Sequence, residues 1–225
     1  MAKMDLQEKL VSSFMVLENL GELDLDSNVH AIRTEAISAF EKQGFPTKKD
    51  EEWKYTSLRS VLNHDYSVFP KAESEVEFKD VKKYFLHEVD SYKLVFIDGV
   101  YSSFLSDTTH DGYDICLLSA AFKKPKYKMV LDKYYNALAQ QKNSLTDLNT
   151  AFSMEGAYIN IPKNIVLPKP IQILNFYSGS EKEILLQPRN IVVVGKNSHC
   201  QIIERHQSLS DNVVLTNSVT EIFVG

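Results

Sequence analysis

The densest group of side chains able to bind a metal ion lies near the carboxyl end of the sequence. Two histidines, a cysteine and a glutamate fall within residues 199–206. If this run is a strand, alternate side chains face opposite ways, so Cys200, Glu204 and His206 share one face and His199 lies on the other. At about 3.3 Å per residue, Cys200 and His206 are roughly 20 Å apart, whereas the ligands of one zinc ion lie about 2.0–2.3 Å from it.

Only Glu204 and His206, about 7 Å apart at their Cα atoms, could share an ion, and they would need further ligands from a neighbouring strand. Cys200 lies on the face of Ile202 and is interpreted as a small buried hydrophobe, the usual role of a free cysteine. We therefore predict no catalytic, cofactor-binding or metal site in this chain. Cys200, Glu204 and His206 remain the candidates if a metal is bound.

Motifs for other chemistry are missing from the sequence. Gly195-Lys196-Asn197-Ser198 comes nearest to a phosphate-binding loop, but it lacks the upstream glycine and no helical pattern follows it, so it predicts a turn. Neither H-E-x-x-H nor G-x-S-x-G occurs. The sequence therefore gives no support for ATP binding in this chain.

Composition narrows the class further. The net charge is −5 without a block of five or more like charges, which gives no basis for nucleic-acid binding. Two cysteines cannot form a disulfide framework at this length and favour a reducing compartment. The first residues are too polar for a signal peptide, and the apolar runs are far shorter than the roughly 20 residues that span a bilayer. We expect a cytoplasmic protein that binds no membrane.

Residues 1–65 are predicted to form a helical region. Ser27 is suited to cap the second of two amphipathic helices, and Gly44 with Pro46 ends it. Residues 47–53 predict a short helix that Thr47 caps and a buried Trp53 anchors. The apolar stripes of the two long helices, the first of which Gly21 should end, are Leu6, Leu10, Phe14, Leu17 and Leu20, then Val29, Ile32, Ala36, Ile37 and Phe40.

Residues 66–148 predict a connector followed by a small α+β region. The connector covers residues 66–79. Asp98-Gly99 between two apolar runs predicts a tight hairpin. Residues 115–118 predict a buried strand, and residues 129–141 show helical spacing again.

Residues 149–225 contain short strand-like runs and no helical stripe. Val192-Val193-Val194-Gly195 and Ile222-Phe223-Val224-Gly225 echo each other thirty residues apart, which fits either a sandwich or a solenoid of strands. The pattern stops within a strand, so we expect a longer protein or a partner to cover the last strand. A second copy could also pair there and give a homodimer.

Three stretches resemble the SufB/SufD family, and the helical region before them is more similar to SufD than to SufB. They are Phe45 to Leu58 with its Glu-Glu-Trp-Lys-Tyr-Thr core, Leu148 to Ile171 with Gly156-Ala157-Tyr158-Ile159, and Asn190 to Glu204. The resemblance implies an N-terminal helical region and then the start of a right-handed parallel β-helix, truncated here, with Val193 and Ile202 facing inward.

The function that the resemblance implies is that of a scaffold subunit in iron–sulfur cluster assembly, which is not an enzyme. Such a subunit pairs with a SufB-like subunit and docks a SufC-like ABC ATPase through a C-terminal region that this sequence does not reach. No cofactor is then expected in this chain, and an iron–sulfur cluster is expected only in the full complex.

Of three alternatives, the first and the last stay open. A carbohydrate-active β-helix protein would carry charged side chains along one exposed strand face, whereas Arg189, Lys196 and Arg205 are isolated in the sequence, and it would usually carry a secretion signal. A left-handed β-helix acyltransferase would need a hexapeptide repeat, which is absent. A generic protein-interaction module overlaps with the scaffold interpretation.

Overall fold

The computed structural model describes residues 4–19, 24–25, 27–69, 76–109, 111–140 and 143–225. The α-helices are α1 (Leu6–Asn19), α2 (Asn28–Gln43), α3 (Arg59–Leu62), α4 (Phe78–Val81), α5 (Leu118–Phe122), α6 (Pro125–Tyr134) and α7 (Ser144–Phe152). The strands are β1 (Tyr92–Ile97), β2 (Val100–Tyr101), β3 (Asp114–Leu117), β4 (Ala157–Ile161), β5 (Ile171–Tyr177), β6 (Glu183–Leu186), β7 (Arg189–Val194), β8 (Ile202–Ser208), β9 (Val213–Thr216) and β10 (Val219–Val224).

The two long helices form as their apolar spacing predicts. The buried face of α1 carries Leu6, Leu10, Phe14 and Leu17, while the predicted Leu20 and Gly21 lie outside the described residues. The hydroxyl of Ser27 accepts a hydrogen bond from the backbone N–H of His30 (3.1 Å), which caps α2. Gly44 ends α2 with φ +69°, a conformation that favours glycine.

From β4 onward, consecutive strands enter three different sheets in turn. Each strand from β7 onward joins the sheet of the strand three before it. β4 pairs in parallel with β7 and β7 with β10, β5 pairs with β8, and β6 pairs with β9. The two similar sequence runs lie side by side in the sheet: Val192 lies opposite Ile222 and Val194 opposite Val224. Each strand from β7 onward therefore lies beside a strand that comes about thirty residues earlier in the chain. We call β4–β10 the strand stack.

The strands of residues 66–148 belong to the same sheets. β1 runs parallel to β5, and β3 runs antiparallel to β4. The predicted hairpin is confirmed, because β1 pairs with β2 across Asp98 (φ +50°) and Gly99 (φ +78°). Residues 148 and 149, where we placed the start of the third segment, both lie within α7. The division into 1–65, 66–148 and 149–225 stays a proposal.

Alternation along β7 separates two apolar cores. Val192 and Val194 face the inside of the strand stack, where Ile202 packs against the same cluster. Ile191 and Val193 face outward and pack beneath α5 and α6. Ile202 thus faces inward as predicted, but the prediction for Val193 was wrong, because a shift of one residue along a strand reverses the face.

Three local predictions need correction. α6 ends at Tyr134, earlier than predicted, and Gln141 lies outside the described residues. Trp53 is only half-buried in its 3-10 turn. The predicted cap holds in part, since the Thr47 hydroxyl accepts the Lys49 backbone N–H (3.2 Å), but the 3-10 turn begins only at Glu51. The Asp50 carboxylate accepts the Thr47 backbone N–H (2.7 Å), and hydrogen bonds from Thr47 lower the pKa of Asp50.

The start of the predicted connector is held in the core. Tyr66 is fully buried, and Ser67 forms a parallel bridge with Ile184 of β6. Residues 70–75 of the connector lie outside the described part of the chain.

Candidate functional site

Two of the three candidate metal ligands lie on the inner face of β8, the last described strand of its sheet. Glu204 and His206 are two positions apart on β8, and their side chains meet, with His206 Nε2 3.1 Å from Glu204 Oε1. Cys200 lies just before β8 and packs against the apolar interior with Ile202. Within the part of the chain that the structure describes, no three His, Cys, Asp or Glu side chains converge to hold a metal ion.

Neighbouring strands complete a polar cluster around Glu204 and His206. The hydroxyl of Tyr177 on β5 lies 2.6 Å from His206 Nδ1. Asn190 on β7 donates to Glu204 Oε1 (3.2 Å) and to Thr220 Oγ1 (3.1 Å). We call this set the inner polar cluster, and two of its members, Tyr177 and His206, line an open cavity of about 720 Å³. The adjacent strands therefore contribute hydroxyl and amide groups around Glu204 and His206.

Both cysteines are free, and burial sets their reactivity. Burial, followed by the charge of Asp114, raises the pKa of the Cys116 thiol to about 11. Burial also raises the pKa of Cys200, which is half-buried. A raised pKa leaves less of the reactive thiolate at neutral pH.

We expect iodoacetamide at pH 8 to modify Cys200 well before Cys116, since Cys200 is more accessible and Cys116 is both enclosed and protonated. Mass spectrometry of peptides over a time course measures both rates. A Cys200→Ala variant should stay unmodified until denaturant is added. Equal rates at the two thiols in the folded protein would contradict the described burial.

A second polar cluster lies on the outer face of the strand stack and is almost completely buried. Arg189 at the start of β7 is 0% exposed and Glu221 on β10 is 2% exposed. Arg189 Nη2 lies 2.7 Å from Glu221 Oε1. Arg189 also donates to the side chains of Asn149 (2.9 Å) and Thr150 (3.2 Å) on α7 and of Asn136 (3.2 Å). We call this set the buried ion-pair cluster.

The Glu221 carboxylate also fixes the segment between α6 and α7. It accepts backbone N–H groups from Asn136 (2.8 Å), Leu138 (2.7 Å) and Ala139 (3.1 Å). Asn136 adopts φ +61°, which is incompatible with a continuing helix, and the N–H groups of the segment after α6 point toward the carboxylate. This explains why α6 ends before the predicted position. The cluster joins the helices to two strands of the stack.

Sequence reasoning missed this cluster. It treated Arg189 as an isolated charge, yet Arg189 is buried and paired rather than placed on an exposed face. The thirty-residue echo held the missing signal: extended backward, it places Arg189 opposite Val219, two positions from Glu221. Positions two apart share a face, so the alignment brings these opposite charges together.

Comparison with known proteins identifies the family. Residues 4–173, well over half of the chain, match the family model described as the SufBD protein N-terminal region. The chain belongs to the SufBD family. Among curated SufBD relatives, it is 29% identical over 188 residues to an iron–sulfur cluster assembly SufBD family protein of Synechocystis, covering 80% of this chain and 41% of that protein. It is 25% identical over 173 residues to SufD of Escherichia coli, covering 76% of this chain and 37% of that protein.

The SufBD chain thus spans about two fifths of the length of these relatives. Its family-like stretches fall on separate parts of the fold: the Glu-Glu-Trp turn is largely exposed, residues 156–159 lead into β4, and residues 190–194 lie within β7. None of the helices in the described ranges is long and apolar enough to cross a bilayer.

Proposed function

We propose that this SufBD chain is a SufD-like scaffold subunit of an iron–sulfur cluster assembly complex and is not itself an enzyme. It pairs with a SufB-like subunit, and in the whole gene product a further region docks a SufC-like ABC ATPase. The cluster is carried only by the complete complex, which acts in the cytoplasm. Family membership over residues 4–173 supports the assignment to cluster assembly.

The observation that carries a scaffold role is the repeated parallel pairing in the strand stack. Three sheets each add a strand after about thirty residues, in the register that the echo predicts. Such an arrangement fits the first turns of a right-handed parallel β-helix, since parallel crossover connections are right-handed in nearly all cases. A stack of this kind is a rod whose surface is available for subunit contacts.

One end of the rod presents unpaired strands. β8, β9 and β10 are each the last strand of their sheet among the described residues. Ile222 and Val224 lie in the register of inner-facing residues of β7 yet are exposed, Val224 by 76%. Unpaired backbone groups beside exposed apolar side chains favour pairing with another strand.

We expect the isolated chain to self-associate through this end. Val224→Lys places a charge on the exposed edge and should shift the protein toward monomer, because charges at an edge oppose strand pairing. Analytical ultracentrifugation over a range of concentrations measures the shift. Val166→Lys is the matched control, since Val166 is 68% exposed outside the named strands. A monomer at all concentrations, or equal effects of the two variants, would contradict the expectation.

The proposed pairing is tested by co-purification. The tagged 225-residue chain and the tagged whole gene product are each expressed with SufB-like and SufC-like proteins from the same source. We expect both to retain the SufB-like subunit and only the whole product to retain the ATPase. Failure of the whole product to retain either protein would overturn the scaffold assignment.

A further inference from the structure

A second cavity, separate from the inner polar cluster, lies between α2, the segment after α6, and α7. Its volume is about 230 Å³. Glu35 and Asp132 are exposed on its walls, whereas Asp147 is only 4% exposed. The alkyl part of the wall includes Ala36 and Ala39. The cavity therefore combines acidic groups with small apolar side chains.

Asp147 is an unusual residue to bury in this way. Its Oδ2 atom is enclosed and has no hydrogen-bond partner. The N-terminus of α7 favours a negative charge nearby, but the cap Asn143 binds the Thr146 N–H and no donor reaches Oδ2. A buried carboxylate oxygen without a donor is costly, by an amount comparable to a lost charged hydrogen bond. The Oδ2 atom of Asp147 therefore lacks the hydrogen-bond donor that a buried carboxylate oxygen normally has.

The neighbouring charged side chains do not supply Asp147 Oδ2 with a hydrogen-bond donor. Burial, followed by the charge of Glu35, raises the pKa of Asp147. Asp132 on α6 adds a further negative charge at the wall. Lys133 also lines the cavity, but its Nζ lies 4.7 Å from the centre of the Tyr134 ring. The charged side chains that line the cavity are thus mainly carboxylates.

We propose that this cavity binds a primary alkylammonium group, with its nitrogen against Asp147 and its alkyl stem along Ala36 and Ala39. An ammonium group supplies three donors, and an alkyl stem buries well against apolar walls. A bare metal ion fits less well, because the described residues bring no three metal-binding side chains together here. The ammonium comes from a free small amine or from a lysine side chain. This inference does not depend on the scaffold assignment.

The test titrates the 225-residue chain with n-butylammonium and with Nα-acetyl-lysine methylamide, using chemical-shift changes in two-dimensional NMR. The uncharged controls are 1-butanol and Nα-acetyl-norleucine methylamide. We expect saturable shifts at residues lining the cavity with the charged compounds only. Tighter binding of n-butylammonium indicates a free amine, and tighter binding of the lysine derivative indicates a lysine side chain. No saturable binding of either, or equal binding of the uncharged controls, would overturn the proposal.

Asp147→Asn provides the matched variant. It should weaken binding of the charged compounds by about tenfold or more, the usual effect of losing a charged hydrogen bond. The variant should melt no lower than the parent, because it removes an unpaired buried charge. Asp211→Asn, a change at an exposed residue that lines the other cavity, should leave binding unchanged. Unchanged binding in Asp147→Asn would rule out the assigned site.

Discussion

Replacing Arg189 with methionine is expected to lower the free energy of unfolding by about 3–5 kcal/mol. The change removes the partner of the buried Glu221 carboxylate, and breaking a buried ion pair by removing one member leaves an uncompensated charge. For a chain of this size the melting temperature should fall by about 10 °C. Chemical denaturation followed by circular dichroism measures the loss.

A double-mutant cycle isolates the pair itself. Arg189→Met combined with Glu221→Gln should be less destabilised than the sum of the two single variants, because neither charge is then left alone. Lys79→Met is the control, since the Lys79–Glu77 pair is exposed (2.7 Å) and exposed pairs contribute about 1 kcal/mol or less. Equal losses in Arg189→Met and Lys79→Met would show that the buried ion-pair cluster does not join the helices to the stack.

Gly156→Ala is expected to be as damaging as the loss of the buried charge. Gly156 adopts φ +150°, and an added Cβ would lie 1.8 Å from the backbone oxygen of Arg189. Strained backbone and a forced shift of β7 together should cost at least about 3 kcal/mol. The soluble fraction after expression and the midpoint of urea unfolding both report the effect.

A second glycine separates conformational strain from the clash. Gly112 also has positive φ (+77°), but an added Cβ there meets nothing within 4 Å. Gly112→Ala should therefore cost only about 1 kcal/mol. If Gly156→Ala were as mild as Gly112→Ala, β4 and β7 could not approach as closely at their starts as described.

Local sequence signals were sufficient for the helices and the hairpin. Helical spacing alone identifies the buried face of α1, and Asp98-Gly99 alone identifies the tight turn, because both depend on neighbouring residues. The echo gave the correct register between β7 and β10. Assigning faces required more information, as the error at Val193 shows. A strand covered on both sides is apolar throughout, so its sequence does not indicate which residues face inward.

The polar clusters could be anticipated only in part. Glu204 and His206 share a strand, so their contact follows from alternation. The contacts of Arg189 with Asn149 and Asn136 join residues far apart in sequence, and no local pattern encodes such pairs. The partial exposure of Trp53 likewise depends on what packs against the turn, which propensity does not reveal.

The most direct test of the scaffold account is the iron and acid-labile sulfide content of complexes reconstituted from SufB-like and SufC-like proteins, with and without the whole gene product that contains this chain. The account predicts that iron and sulfide are retained in equal amounts only when the product is present, and that the purified 225-residue chain alone retains neither. If complexes with and without the product contained the same amount of iron and the same amount of sulfide, this would contradict a role in cluster assembly.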